Sequence, residues 1–159
     1  LEAHAKLPGS LARDYPLVIA GKLAWDDGKT VDAIHQAVAE GRAKWLHYIS
    51  EDQKHCLLQS ATALTFISLY EGFGLPITEA FASELPVMTS NCTSMPEVAG
   101  NAAIVVDPLN SQAITEALEA IIQDSGFAEQ LKTAGLARSR LFSWEENAKK
   151  TASIYQAMV

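Results

Sequence analysis

A chain of 159 residues is long enough for one domain that buries roughly 70% of its unfolded surface, and a second domain is not expected. Its composition, 48% hydrophobic and 19% charged, is that of an ordinary soluble globule, with no apolar run near the roughly 20 residues that cross a bilayer and no basic-then-apolar signal pattern. A net charge of −7 disfavours nucleic acid and anionic membranes as main partners, and it requires that any anionic ligand be held by local cations or backbone amides. Cys56 and Cys92 lack the spacing of a metal motif and read as free thiols.

In chain order, residues 1–13 (LEAHAKLPGSLAR) read as the tail of a helix with no strand before it. Leu17–Ala20 is a short apolar run ending at Gly21-Lys22, which predicts a buried parallel strand opening into a loop. Lys22 is the one cation near a predicted strand end. The loop holds Trp25, Asp26, Asp27 and Gly28, and the two adjacent acids read as a turn and helix cap rather than a metal pair. A helix over 29–40 follows, with Val31, Ile34 and Val38 as apolar points, and then a second strand, Trp45–Ile49. Ser50 and Gln53 make a capping box for the next helix. His47 and His55 have no partner in sequence at ligand or triad spacing, and both, like His35, read as structural or solvated. The third strand, 61–68 (ATALTFIS), delivers the chain to Glu71 at its carboxyl end, where open α/β sheets bind ligands.

Residues 68–90, SLYEGFGLPITEAFASELPVMTS, organise the rest. Glu71 and Glu79 bracket a glycine-rich turn that runs into a helix, 76–84, beginning at Pro76. Gly72 and Gly74 carry no Cβ, so the turn can take positive φ and approach a bound group, with Phe73 as its anchor. Pro76 suits the first helical position, where a missing N–H costs nothing. The free amides of Gly74, Leu75 and the first turn then face outward with the positive end of the helix dipole, as an anion site. Glu79 would repel a phosphate seated directly on those amides. An ionised carboxylate only accepts hydrogen bonds, so Glu79 suits a sugar or ribose diol, and Glu71 can do the same for a second sugar. An anion cradle between two hydroxyl acceptors describes a nucleotide sugar. The plainer alternatives are a solvated loop residue at Glu71 and a dipole-compensating acid at Glu79.

Beyond this stretch come a strand at 86–89, a polar loop at 91–96, one helical turn from Pro96 to Gly100 with Glu97 as a cap or packing residue, and a strand at 101–107. Helix 111–123 shows a core stripe of Ala113, Ile114, Ala117, Leu118, Ile121 and Ile122. Ser143 and Glu146 form a second capping box, and Trp144, Ala148, Ala152 and Tyr155 give the final helix a buried face. The alternation predicts an α/β, Rossmann-like parallel sheet of about five strands with helices on both faces. GxGxxG, GxxxxGK, GxSxG and CxxC patterns do not occur in the sequence.

The stretch EGFGLPITE, two glutamates separated by seven residues, resembles the signature of the retaining glycosyltransferases of family 4, which have the two-lobed GT-B fold. ELPVMTSNCTSMPEVAGNAAIVVDPLN, FSWEENAKKTASIYQ, YPLVIAGKLAW and KWLHYIS are similar to that family's flanking segments, so the resemblance covers essentially the whole chain. It implies that residues 1–159 are one donor-nucleotide-sugar-binding domain, the carboxy-terminal lobe. The acceptor lobe, the first strand and a basic phosphate clamp would lie upstream. It further implies that Glu71 holds a hydroxyl of the transferred sugar, with a nucleophile role as the minority view, and that Glu79 holds the ribose diol. The amides of Phe73, Gly74 and Leu75, with Gly72 and Lys22 as further donor-binding candidates, would hold the diphosphate, and Tyr48 and Ile49 would meet the base, the plainer alternative for Tyr48 being a half-buried aromatic. Where the family usually has a glycine, this chain has Glu84.

The expected function is transfer of a hexose, with retention, from a nucleoside-diphosphate sugar to an acceptor hydroxyl, without metal or cofactor. GDP-mannose is the first donor expected, because LVIAGKLAW resembles mannosyltransferase-like members, and a UDP-hexose the second. The acceptor would be a sugar, a lipid-linked sugar or a polysaccharide precursor, reached through the absent lobe. Any membrane contact would be made there, on a cytoplasmic protein placed at most peripherally at the inner face. The isolated lobe is expected to show no turnover. Two rivals stand beside this: a non-catalytic nucleotide-sugar-binding or interaction module, and a GT-B phosphorylase or epimerase.

Overall fold

The computed structural model describes residues 1–22 and 28–158, so Trp25, Asp26 and Asp27, with their expected turn and cap, lie outside the described residues. In chain order the elements are α1 (Glu2–Ala5), α2 (Gly9–Asp14), β1 (Leu17–Ile19), α3 (Lys29–Ala39), β2 (Ala43–Trp45), α4 (Glu51–Ser60), β3 (Leu64–Phe66), α5 (Leu75–Ala82), β4 (Val87–Ser90), α6 (Met95–Ala99), β5 (Ile104–Val106), α7 (Ser111–Gln123), α8 (Ser125–Ser139) and α9 (Trp144–Ala157). Every described strand pairing is parallel. β1 pairs with β2, and β3, β4 and β5 form a second group in that order. The Rossmann-like architecture expected from the alternation is therefore present.

β4 shows why the helices must cover both faces. All four of its residues are buried, as in a central parallel strand. Successive side chains of a strand point to opposite faces. Met88 accordingly joins a core with Leu7, Val106, Leu118, Ile121 and Leu131, while Val87 joins another with Ile77, Phe81, Met95 and Val98. The two hydroxyls that β4 buries are satisfied: Thr89 Oγ1 donates to Phe66 O at 2.9 Å and Ser90 Oγ to Ser68 O at 2.7 Å. Both bonds tie β4 to the end of β3, just ahead of Glu71.

Several boundaries differ from the sequence expectation. The amino-terminal helix is two short helices, because Pro8 interrupts it and becomes the N-cap residue of α2. The second strand is Ala43–Trp45, not Trp45–Ile49. Its register with β1 ends at Ile19↔Trp45, and His47 then turns into the left-handed region at φ 50°, which takes the chain out of the ladder. Helix α5 begins at Leu75, one residue before Pro76, which sits within its first turn. The capping box at Ser50 forms in both directions, whereas at Ser143 only the hydroxyl half does, accepting from Glu146 N. Glu146 instead bonds Lys149. The expected buried face of the last helix is absent: no described residue of α9 is buried, and Trp144 and Tyr155 are exposed. Helix α8, which the sequence reading passes over, packs Leu131 and Gly135 into the interior.

Candidate functional site

The stretch from Ser68 to Glu79 sits at the carboxyl end of β3. Glu71 is half-buried, and its carboxylate accepts a hydrogen bond from Ser68 Oγ at 2.8 Å. Its amide donates to Thr93 Oγ1 at 3.1 Å, and Ser94 Oγ lies 3.1 Å from Glu71 O and 3.0 Å from Phe73 O, so the segment just before α6 holds the turn by its backbone. Thr93 adopts φ 49°, an uncommon state for a β-branched residue.

Of the two glycines in the turn, only Gly74 needs to be glycine for its backbone. It takes φ 100° as the N-cap residue of α5, and a Cβ there would come within 3.2 Å of Ile77 Cδ1. Gly72 does not adopt positive φ, contrary to expectation; a Cβ on it would meet only open space. Its use is the free approach it leaves to the backbone. Among the described residues the amides of Gly72, Phe73, Gly74 and Leu75 donate no backbone hydrogen bond, and Ile77 N closes the turn on Gly74 O at 3.0 Å. Phe73 is only partly anchored. It is 42% exposed, with its ring edge-on to Phe142 at 5.7 Å between centroids.

Glu79 lies one turn into α5, half-buried, and the structure gives it a partner that the sequence reading missed. Lys54 Nζ, from α4, donates to Glu79 Oε1 at 2.9 Å and also pairs with Glu51 Oε2 at 2.8 Å. The bond to Glu51, and after it the bond to Glu79, raises the Lys54 pKa above its ordinary value, so the ammonium stays charged. Only Oε1 of the Glu79 carboxylate takes part in this pair. A signal for Lys54 was present in the sequence. The capping box at Ser50 fixes where α4 starts, which makes Lys54 the fourth residue of that helix.

A second group forms where β1 and β2 end. Gly21 N donates to His47 O at 2.6 Å, and Trp45 Nε1 donates to Gly21 O at 3.2 Å. The Trp45 and His47 ring centroids lie 4.1 Å apart with the planes tilted by 38°, and Lys22 Nζ lies 5.4 Å from the centre of the Tyr48 ring. Lys22 and Tyr48 are thus brought together, both exposed. Tyr48 and Ile49 also line an open cleft of about 450 Å³ with Leu46, Asp52, Gln53 and Leu57. Among the described residues no hydrogen bond or ion pair links Lys22 to the Glu71 turn. The segment from Ile49 at the cleft leads into α4, whose Lys54 pairs with Glu79, and so connects the two groups.

These features describe a Rossmann-like domain in which, among the described residues, a turn whose amides donate no backbone hydrogen bond lies between two carboxylates. Residues 1–138 match the family model for glycosyl transferases group 1, and the chain belongs to that family. It is 35% identical over 158 residues to the O-antigen chain mannosyltransferase B of Escherichia coli, an alignment covering 99% of this chain and 42% of that protein. Among solved structures it resembles Anabaena HepE in complex with UDP, with a TM-score of 0.81 at 20% identity over 98% of this chain and 43% of that one. WaaG, a glycosyltransferase involved in lipopolysaccharide biosynthesis, gives a TM-score of 0.77 at 21% identity, covering 96% of this chain and 41% of that one. The chain spans less than half the length of each of these proteins.

Proposed function

We propose that this chain is the donor-binding lobe of a retaining glycosyltransferase that moves a mannosyl group from GDP-mannose to an acceptor hydroxyl. The observation that carries the reading is the row of amides at Gly72–Leu75 that donate no backbone hydrogen bond among the described residues, set at the start of α5 between Glu71 and Glu79. Family membership supports the transferase class, and the mannosyltransferase relative supports the sugar.

In this reading the diphosphate lies on the amides of Phe73, Gly74 and Leu75. The hard chemical step separates an anionic diphosphate from an oxocarbenium-like sugar, so stabilising the leaving group is the largest contribution the lobe makes. The amides do so with the positive end of α5 behind them, and no reorganisation is needed at the moment of reaction. Glu71, held by Ser68, accepts from a hydroxyl of the transferred sugar. Glu79 accepts from the ribose with the oxygen that Lys54 leaves open. Lys54, paired with Glu51 and Glu79, offsets part of the carboxylate charge that an anionic ligand meets there. The base occupies the cleft beside Tyr48 and Ile49, with Lys22 over the Tyr48 ring at its edge. The acceptor, and any membrane contact, belong to an upstream lobe that also carries further basic residues. Transfer needs both lobes.

Glu84, where the family usually has a glycine, leaves the helix end formed: Glu84 N bonds Phe81 O and Leu85 N bonds Ala80 O. Calorimetric titration of the chain with GDP, UDP and ADP tests the proposal. The expected result is base-selective binding of GDP near millimolar, about 4 kcal/mol, lost in Glu79→Ala. Binding of all three nucleotides alike, or binding that survives Glu79→Ala, counts against the ribose and base assignments.

A further inference from the structure

We propose that Arg138 and Phe142 form a brace that fixes the 71–75 turn from behind, so that its amides are held in shape before any ligand arrives. The turn needs such support. It contains a left-handed Gly74 and an unrestricted Gly72, and its amides make no backbone bonds of their own among the described residues.

The support comes from two sides that meet. On one side, Thr93 and Ser94 hold the backbone of Glu71 and Phe73. Those residues lead directly into α6, so the place of α6 sets theirs. The far end of α6 is held by Arg138 of α8, whose Nε donates to Val98 O at 3.1 Å and whose Nη2 donates to Glu97 O. These are two of the carbonyls that a helix end otherwise leaves without partners. Gly100 makes room for the guanidinium, since a Cβ there would stand 3.0 Å from Arg138 Cζ.

On the other side, the same guanidinium lies 5.4 Å from the centre of the Phe142 ring, and Phe142 meets Phe73 edge-on at 84°. Phe142 reaches that position by a tight turn after α8, in which Leu141 N bonds Arg138 O and Phe142 N bonds Ser139 O. The contacts close a ring: Phe73, Phe142, Arg138, α6, Ser94 and back to Phe73. Neither Arg138 nor Phe142 is part of the amide row; they are positioning residues that act through the turn. Their consequence for ligand binding rests on the donor-site reading above, but the brace itself does not.

The test is amide hydrogen exchange followed by NMR in the wild-type chain and in Phe142→Ala, Phe142→Tyr and Arg138→Met. The reporters are Glu71 N and Ile77 N, whose bonds to Thr93 Oγ1 and Gly74 O close the two ends of the turn, and Asn91 N, bonded to Val106 O, is the control. Expected are rates about tenfold faster at Glu71 and Ile77 in Phe142→Ala and Arg138→Met with Asn91 unchanged, and wild-type rates in Phe142→Tyr, which keeps the ring. Unchanged rates at Glu71 and Ile77 overturn the brace. So does a rise shared equally by Asn91, since Phe142 would then be a core residue and nothing more. Titration of the same variants with GDP reads the functional consequence, expected as a several-fold weakening in Phe142→Ala with the preference for GDP over UDP kept. A wild-type chain that takes up no GDP overturns the donor-site reading, and the exchange rates then decide the brace independently.

Discussion

Lys54 and Glu79 set the local charge of the site. Each is about one-third exposed, so their ion pair is worth at most about 1 kcal/mol to the fold and is weakened by salt. In the proposed donor site its value is larger, because Lys54 stands on the carboxylate assigned to the ribose. Lys54→Met is therefore expected to leave thermal stability within a few degrees of wild type while weakening GDP binding roughly tenfold, the scale of one lost charge-assisted contact. Equal GDP affinity in the variant would remove Lys54 from the site.

His4 is a different kind of buried polar residue. It is 3% exposed, its Nε2 faces the acceptor Tyr15 O at 2.9 Å and so carries the proton, and Nδ1 has no partner among the described residues. Burial, with the charge of Arg42 adding to it, pushes the His4 pKa below its ordinary value of 6.5, against the opposing pull of the Tyr15 bond. His4 is thus neutral in the fold, whereas the unfolded chain takes up a proton below about 6.5. Its contribution is present above that pH and is lost as pH falls from there toward the folded-state pKa. Urea unfolding at stepped pH should show stability declining from about pH 6.5 downward, with that part of the slope missing in His4→Leu. An identical slope in the two proteins would assign the decline to other groups.

At the level of single elements, the end of α5 shows how a local rule and the fold can disagree. Glu84 N bonds Phe81 O and Leu85 N bonds Ala80 O, the paired bonds of a helix stop that calls for a left-handed residue, and Glu84 supplies it at φ 53°. A side chain in that region costs about 1–2 kcal/mol, against which glycine loses about 0.5–1 kcal/mol more backbone entropy on folding. Glu84→Gly should therefore stabilise the chain by about 0.5–1 kcal/mol, raising Tm by about 1–4 °C, as differential scanning calorimetry would show; a fall in Tm would mean that the Glu84 side chain does something useful. The sequence identified this position, since the resemblance marked it as a usual glycine, but it gave no φ. Helix α8 was less legible for a related reason. It has no apolar stripe, and its Gly135 lies where a Cβ would stand 2.7 Å from Phe81 Cδ1. Both residues are buried, so that glycine is a tertiary requirement which no local pattern displays. Asp124 capping Phe127 N was the one signal available in its neighbourhood.

Across the whole molecule, the alternation of strands and helices was readable because a parallel sheet buried on both faces leaves short apolar runs between amphipathic helices, and the motif turn was readable because glycine, proline and paired acids are local chemistry. What the sequence did not show were the relations made at a distance: the Lys54–Glu79 pair, the Phe142 contact with Phe73, and the departure of His47 from the strand. The last helix is the opposite error. Its stripe of Trp144, Ala148 and Tyr155 reads as a buried face, yet none of α9 is buried, and Trp144, Tyr155 and Ile154 are 76%, 67% and 61% exposed. Periodicity reports that a face is apolar, and only the fold decides whether anything covers it. A helix of 14 residues is marginal in water without packing, so α9 adds little to the stability of the rest. A chain ending at Ser143 should melt within about 2 °C of the full chain, since by the size scaling such a shift is under roughly 1 kcal/mol, and its circular dichroism should show less helix. A much larger drop in Tm would mean that α9 packs against this domain in solution, and that the stripe is a core face after all.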